Sequence, residues 1–134
     1  MSNKAELRRK RAQYVSQRSD KENELSDLKS DKSRLKKAIK TAESIQEDFD
    51  SEKSKYHRIK ITSNEWSGET RDKSDNKKDD LDDAIKDYSE KYDDILEQMN
   101  KDLDKIEHKI EGVESDISGL NASIAAIDRE LGKN

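Results

Sequence analysis

The chain has no cysteine, no proline, four glycines and only six aromatic residues among 134. Each shortage excludes something. Without cysteine there is no disulfide, no thiolate nucleophile and no Cys-ligated zinc. Without proline, no residue with a locked φ and a missing N–H interrupts a helix. Hydrophobic residues are 28% of the chain and charged residues 45%. That is too little apolar volume for a compact globule, and the composition borders on that of disordered chains. Patterning must therefore decide between disorder and an extended coiled coil. No apolar run approaches the roughly 20 residues of a membrane helix. No short apolar segment follows the N-terminal charges as a signal peptide requires. The expectation is a cytoplasmic chain with no signal peptide and no membrane insertion.

Catalytic and metal chemistry find no footing either. The densest acidic run is Asp72, Asp75, Asp79, Asp80, Asp82, Asp83 and Asp87. It lacks the Gly and the later Glu of a calcium loop, since no Gly lies between 68 and 112, so it reads as a solvated helix face. His57 and His108 stand in different halves, neither with a second His at ligand spacing. No Ser sits in a nucleophile elbow, and no Gly-rich loop could cradle phosphate. The sequence predicts no enzyme, no cofactor and no metal. A basic cluster at Lys4, Arg8, Arg9, Lys10 and Arg11 suggests an anionic contact. With Tyr14 as its only aromatic neighbour in an acidic protein, it reads instead as a solvated face opposite an acidic arm, and no nucleic acid is expected.

What is present is long-range order. Residues 1–66 carry net charge +5 and residues 67–134 carry −9, so an antiparallel pairing of the two halves brings complementary fields together. In the first half one row recurs every seven residues: Leu7, Tyr14, Lys21, Leu28, Leu35, Ala42, Phe49 and Tyr56. Its companion row is Arg11, Arg18, Leu25, Lys32, Ile39, Gln46 and Lys53, with Ile45 and Ile59 drifting to a neighbouring row. This is a heptad with one good and one poor row, in which Lys and Arg stems lie along the partner. Asn3 followed by Glu6 suggests a capping box at its start.

The second half gives a richer seam: Leu81, Ile85, Tyr88, Tyr92, Ile95, Met99, Leu103, Ile106, Ile110, Val113, Ile117, Leu120, Ile124, Ile127 and Leu131. Its steps alternate four and three except for two successive fours from Ile95 to Leu103, a stutter that predicts local unwinding near Met99. Gly132 follows as a C-cap.

Between the halves, Ile61 to Gly68 contains the only Trp, with Trp66 two residues before Gly68. The expected fold is all-α: an elongated antiparallel two-helix coiled-coil hairpin, one domain over 1–134. Helix 1 covers about 3–60, a W-x-G bend about 61–68, and helix 2 about 69–131. Folding about Trp66 places Leu7 near Ile124 and Ile127, Leu35 near Met99, and Phe49 near Ile85. The sparse N-terminal seam then faces the richest apolar stretch and leaves part of it uncovered. Beside that stretch runs a row of small residues, Gly112, Ser115, Gly119, Ala122 and Ala126. Excess seam and small row together suggest close approach of a third helix, with Ile110, Val113, Ile117, Leu120 and Ile124 as further contacts.

Trp66-Ser67-Gly68 between two long helices resembles the WXG superfamily of helical hairpins exported by type VII secretion. With arms this long and this charged, the chain looks most like the YwqH-like small proteins that accompany LXG polymorphic toxins in Gram-positive bacteria. The resemblance implies a chaperone or adaptor that binds the helical N-terminal LXG region of a toxin, with room for a second small helical partner. It also implies secretion in the toxin's company. Export partners in that superfamily often carry Tyr or Phe followed four residues later by Asp or Glu. Here Tyr88 is followed by Tyr92, Tyr92 by Leu96 and Phe49 by Lys53, so the export signal is expected from the partner. The rival reading is a homodimeric coiled-coil spacer or scaffold without a secretion role. A prefoldin-like chaperone fits less well, because the bend lacks alternating strand residues.

Overall fold

The protein's structure, a computed structural model, describes residues 2–57 and 68–133. The described residues form two helices, α1 (Ser2–His57) and α2 (Gly68–Leu131), and no strand. Trp66 and the rest of the expected bend before Gly68 lie outside the described residues. α1 is already helical at Ser2, one residue ahead of the expected cap Asn3. At the other end the Gly132 N–H donates to the Asp128 carbonyl at 3.0 Å. Gly132 follows the last helical residue as expected of a C-cap, and no glycine among the described residues has positive φ. Arg129 lies in that last turn, where a cation is favoured by the helix dipole.

The helices pack antiparallel within two compact units. One joins Met1–Lys36 to Asp102–Asn134, and the other spans Lys37–Lys101. In the first unit the register is written in charge. Arg11 Nε lies 2.6 Å from Asp128, Arg18 donates to Asn121 at 2.9 Å, and Lys32 reaches Glu107 at 3.7 Å. The residue numbers of each pair add to 139. In the second unit Gln46 donates to Asp93, again adding to 139, and the Phe49 and Tyr88 rings lie 4.6 Å apart.

That register differs from the expected one by about a helical turn. Phe49 meets Tyr88, one turn beyond Ile85. Symmetry about Trp66 was the wrong guide. Side-chain pairs placed at multiples of seven residues set the register, because a slip by a single turn would break all of them at once.

Burial in α1 follows the expected heptad in both units. Leu7, Arg11, Tyr14, Arg18, Lys21, Leu25, Leu28, Lys32 and Leu35 are half-buried in the first unit. In the second, Ile39 is buried and Ala42, Gln46, Phe49, Lys53 and Tyr56 are half-buried. Arg and Lys at seam positions lay their methylenes along α2 and carry their charge to its edge.

In α2 the seam departs from expectation. Leu96 is buried at 8% exposure, whereas its neighbour Ile95 is 53% exposed. Leu81 and Tyr88 are also exposed, and the less exposed positions beside them are Asp82 and Ser89. The inward row therefore runs Lys78, Asp82, Ile85, Ser89, Tyr92, Leu96, Met99 in the second unit. It continues as Leu103, Ile106, Ile110, Val113, Ile117, Leu120, Ile124, Ile127, Leu131 in the first. Its steps alternate four and three throughout, so the expected stutter near Met99 is absent. The physical reason is cooperative. The apolar stretch from Met99 to Leu131 fixes the phase of the helix, and extending it backward half-buries Ser89, Asp82 and Lys78 rather than unwinding the coil. Among the described residues, Ser89 Oγ and Asp82 Oδ1 are buried without a hydrogen-bond partner.

The small row faces away from α1. Gly112, Ser115, Gly119, Ala122 and Ala126 are all exposed, and a Cβ placed on Gly112 or Gly119 would meet nothing within 4 Å. A glycine in an exposed helix interior costs about 1 kcal/mol relative to alanine. The variant Gly119→Ala should therefore stabilise the chain by about that amount. A thermal melt by circular dichroism checks it; a lower midpoint would mean that the open space is occupied.

Candidate functional site

The seam divides each unit's surface into two flanks. Residues that follow a seam position within a four-residue step lie on one flank, and residues that end the step lie on the other. On the first flank α1 sends polar side chains from its seam to α2: Arg11 to Asp128, Arg18 to Asn121 and Lys32 to Glu107 in the first unit, Gln46 to Asp93 in the second. The rungs of this ladder stand seven or fourteen residues apart, since the intervening seam positions Leu25 and Ile39 are apolar.

Its pairs are largely exposed, with side chains of Arg11 and Asp128 at 42% and 50%. They specify register more than they add stability. Hydrogen bonding to Asp128 raises the Arg11 pKa, and hydrogen bonding to Asp116 raises that of Lys21. Such pairs should be sensitive to salt. Raising NaCl from 0.1 to 1 M should lower the melting temperature by no more than a few degrees, since the apolar seam is unscreened. Unfolding in high salt would show that charge, not the seam, holds the helices.

The opposite flank differs between the units. In the first it is polar: Lys21 reaches Asp116 at 3.3 Å, beside a shallow groove lined by Gln17, Ser115, Gly119, Leu120 and Ser123. In the second it is apolar. Leu81, Tyr88 and Ile95 each stand just before a seam position of α2, and Ile45 stands just before Gln46 of α1. These four are the large hydrophobic side chains most exposed among the described residues, between 47% and 53%. The Phe49 ring packs on Tyr88 tilted at 45°, and Tyr92 donates to the Ala42 carbonyl at 2.7 Å. Ile45 therefore sits at the level of Tyr88 and Tyr92, between Ala42 and Phe49 on its own helix. The Tyr88 and Tyr92 rings are stacked with centroids 5.9 Å apart. Burial raises the Tyr92 pKa, with Tyr88 adding to the shift. Burial also raises that of Tyr56, with Asp82 and Asp79 contributing.

The contacts expected for a partner fall out differently. Ile110, Val113 and Ile124 are buried against α1 at 5–7% exposure, with Ile127 beside them. Ile117 and Leu120 are half-buried. The surplus of uncovered seam near the end of α2 is thus absent, because stems of Arg11, Arg18 and Lys21 cover what apolar side chains do not. Gly112, Ser115, Gly119, Ala122 and Ala126 are brought together on the outer face without the apolar neighbours that were to accompany them. Sequence reasoning missed the exposed flank because it assigned Leu81, Tyr88 and Ile95 to the seam. The available signal was Leu96, from which the four–three alternation runs unbroken to Leu131 and, carried backward, puts Ser89 and Asp82 in the seam in place of Tyr88 and Leu81.

Among the described residues no cluster of three His, Asp or Glu could hold a metal ion. The His108 ring Nδ1 lies 2.8 Å from the Asp104 carbonyl of its own helix. No helix of the described residues is long and apolar enough to cross a membrane.

The fold and its two flanks define a charged, antiparallel two-helix coiled coil. The family model described as YwqH-like matches residues 9–129, and the chain belongs to that family. No curated protein and no solved structure matches it.

Proposed function

We propose that the chain is a non-enzymatic accessory protein that binds the helical N-terminal LXG region of a type VII-secreted toxin and helps present it for export. The observation that carries this reading is the family match across residues 9–129 of a chain built from a helix pair. The W-x-G triplet between the two helices supports it, as does the absence of a Tyr or Phe with an acid four residues on at Phe49, Tyr88 and Tyr92. An exposed apolar flank on a surface otherwise dominated by charge supports partner binding as well.

The test is co-expression with the N-terminal region of a toxin encoded beside the chain. The expected result is a complex that survives affinity purification and size exclusion. Two soluble proteins that elute separately would refute the reading. Self-association in sedimentation, unaffected by adding the toxin region, would favour the homodimeric scaffold.

A further inference from the structure

The apolar flank of the unit Lys37–Lys101 has a chemical edge. The next row outward from Leu81, Tyr88 and Ile95 on α2 is Lys77, Ala84, Lys91 and Gln98, without an acid among them. Lys77 and Lys91 are exposed. The acids of this stretch lie elsewhere around the helix: Asp79 and Asp93 on the opposite flank, Asp80, Asp87 and Asp94 on the outer face, Asp83, Glu90 and Glu97 beyond them, and Asp82 in the seam. In a segment rich in acid, the side of the helix bordering exposed apolar residues is the basic one. On the α1 wall Glu52 is held by Lys55 at 3.2 Å, and the next row outward, Thr41, Asp48 and Lys55, carries one acid and one base, so the sign of the edge is set on the α2 side.

We infer that this flank is the docking groove for one amphipathic partner helix whose apolar row covers Ile45, Leu81, Tyr88 and Ile95 and whose acidic edge lies along Lys77 and Lys91. Three features determine that occupant. The seven-residue spacing of Leu81, Tyr88 and Ile95 matches a helix laid along α2, as a third strand of the coiled coil, rather than one crossing it. The groove has apolar side chains on both walls, Ile45 opposite the α2 row, so a helix entering it is held from two sides. The lysine row selects the sign of the partner's edge, since acids meeting it gain what bases would lose. A second copy presenting this same face would bring its own Lys77 and Lys91 rows to it, and its acids are on other sides. The inference rests on the proposed partner reading but names a surface, a register and a charge sign that the reading does not contain.

The test separates the two. The first probe is a synthetic amphipathic helix of about three heptads with leucine at one seven-residue row and glutamate along the neighbouring edge. The control is the same peptide with lysine for glutamate. Fluorescence anisotropy on the full chain should show the glutamate peptide binding about tenfold tighter or more. The double variant Lys77→Glu/Lys91→Glu should reverse that preference. Leu81→Ser/Ile95→Ser should abolish binding of both peptides, with an unchanged melting temperature because both side chains are exposed. Absence of binding, no charge preference, a preference for lysine, or full binding by the serine variant would each overturn the inference. A homodimer of the free chain that the serine variant dissociates would overturn it too.

The second probe is the toxin's N-terminal region. If it binds the unmodified chain and both variants equally, the partner reading stands and this groove is not its site. If the peptides behave as expected and the toxin region does not bind, the groove stands and the partner reading falls.

Discussion

Leu96→Asp should unfold a large part of the helix pair, and Ile95→Asp, one residue away, should leave it nearly intact. Leu96 is one of the buried residues of the unit Lys37–Lys101, with Ile39 the buried residue of α1 there. Placing a carboxylate in that seam removes an apolar side chain and desolvates a charge. The combined cost is roughly 3 kcal/mol or more. Such a loss is a large share of the stability of a small domain. Ile95 is more than half exposed, and an aspartate there is solvated and should change stability by less than about 0.5 kcal/mol. Circular dichroism melts of the two variants decide the matter. If Ile95→Asp melted and Leu96→Asp did not, the seam would run through Ile95 with its stutter, and the exposed flank would not exist.

Alkaline pH should unmake the chain, and tyrosine should report it. Burial raises the Tyr92 pKa and, with Asp82 and Asp79, that of Tyr56; contact with Asp116 and Asp128 raises Lys21 and Arg11. All four groups hold their protons more tightly in the folded chain than in the unfolded one. The stability they contribute is fully present below the unfolded values, about 10 for Tyr and Lys. It is lost as pH rises through the higher folded values, because the unfolded state then gives up protons that the folded state retains. Melting temperature should stay level through neutral pH and fall steeply above about pH 10. Tyr92→Phe removes one titrating group and its 2.7 Å bond to the Ala42 carbonyl. It should cost a few degrees at pH 7 and flatten the alkaline decline. A melting temperature constant to pH 11, or a Tyr92→Phe chain with the same decline as the parent, would remove tyrosine burial from the account.

These two predictions test how far pattern alone reaches. In α1 it reached the whole seam. A proline-free sequence with one usable row every seven residues has a single way to bury Leu7, Leu28, Leu35 and Phe49 together, and the Arg and Lys of the poorer row were carried in with them. In α2 the local pattern was ambiguous. Leu81, Tyr88 and Ile95 offer one row, and Asp82, Ser89 and Leu96 offer the adjacent one. Hydrophobicity favours the first row, yet helix phase imposed by the apolar stretch from Met99 to Leu131 decided for the second.

The candidate site moved for the same reason. Ile110, Val113 and Ile124 were read as surface left over for a partner. They are core, because the register set by the Arg11–Asp128, Arg18–Asn121 and Lys32–Glu107 pairs brings them to the level of Leu28, Leu25 and Tyr14. Composition and heptad spacing by themselves determined that this chain is a pair of helices, basic against acidic. Only packing decided which of two neighbouring rows faces inward, since phase is a property of a whole helix against its partner. That choice turned three apolar residues of α2 outward.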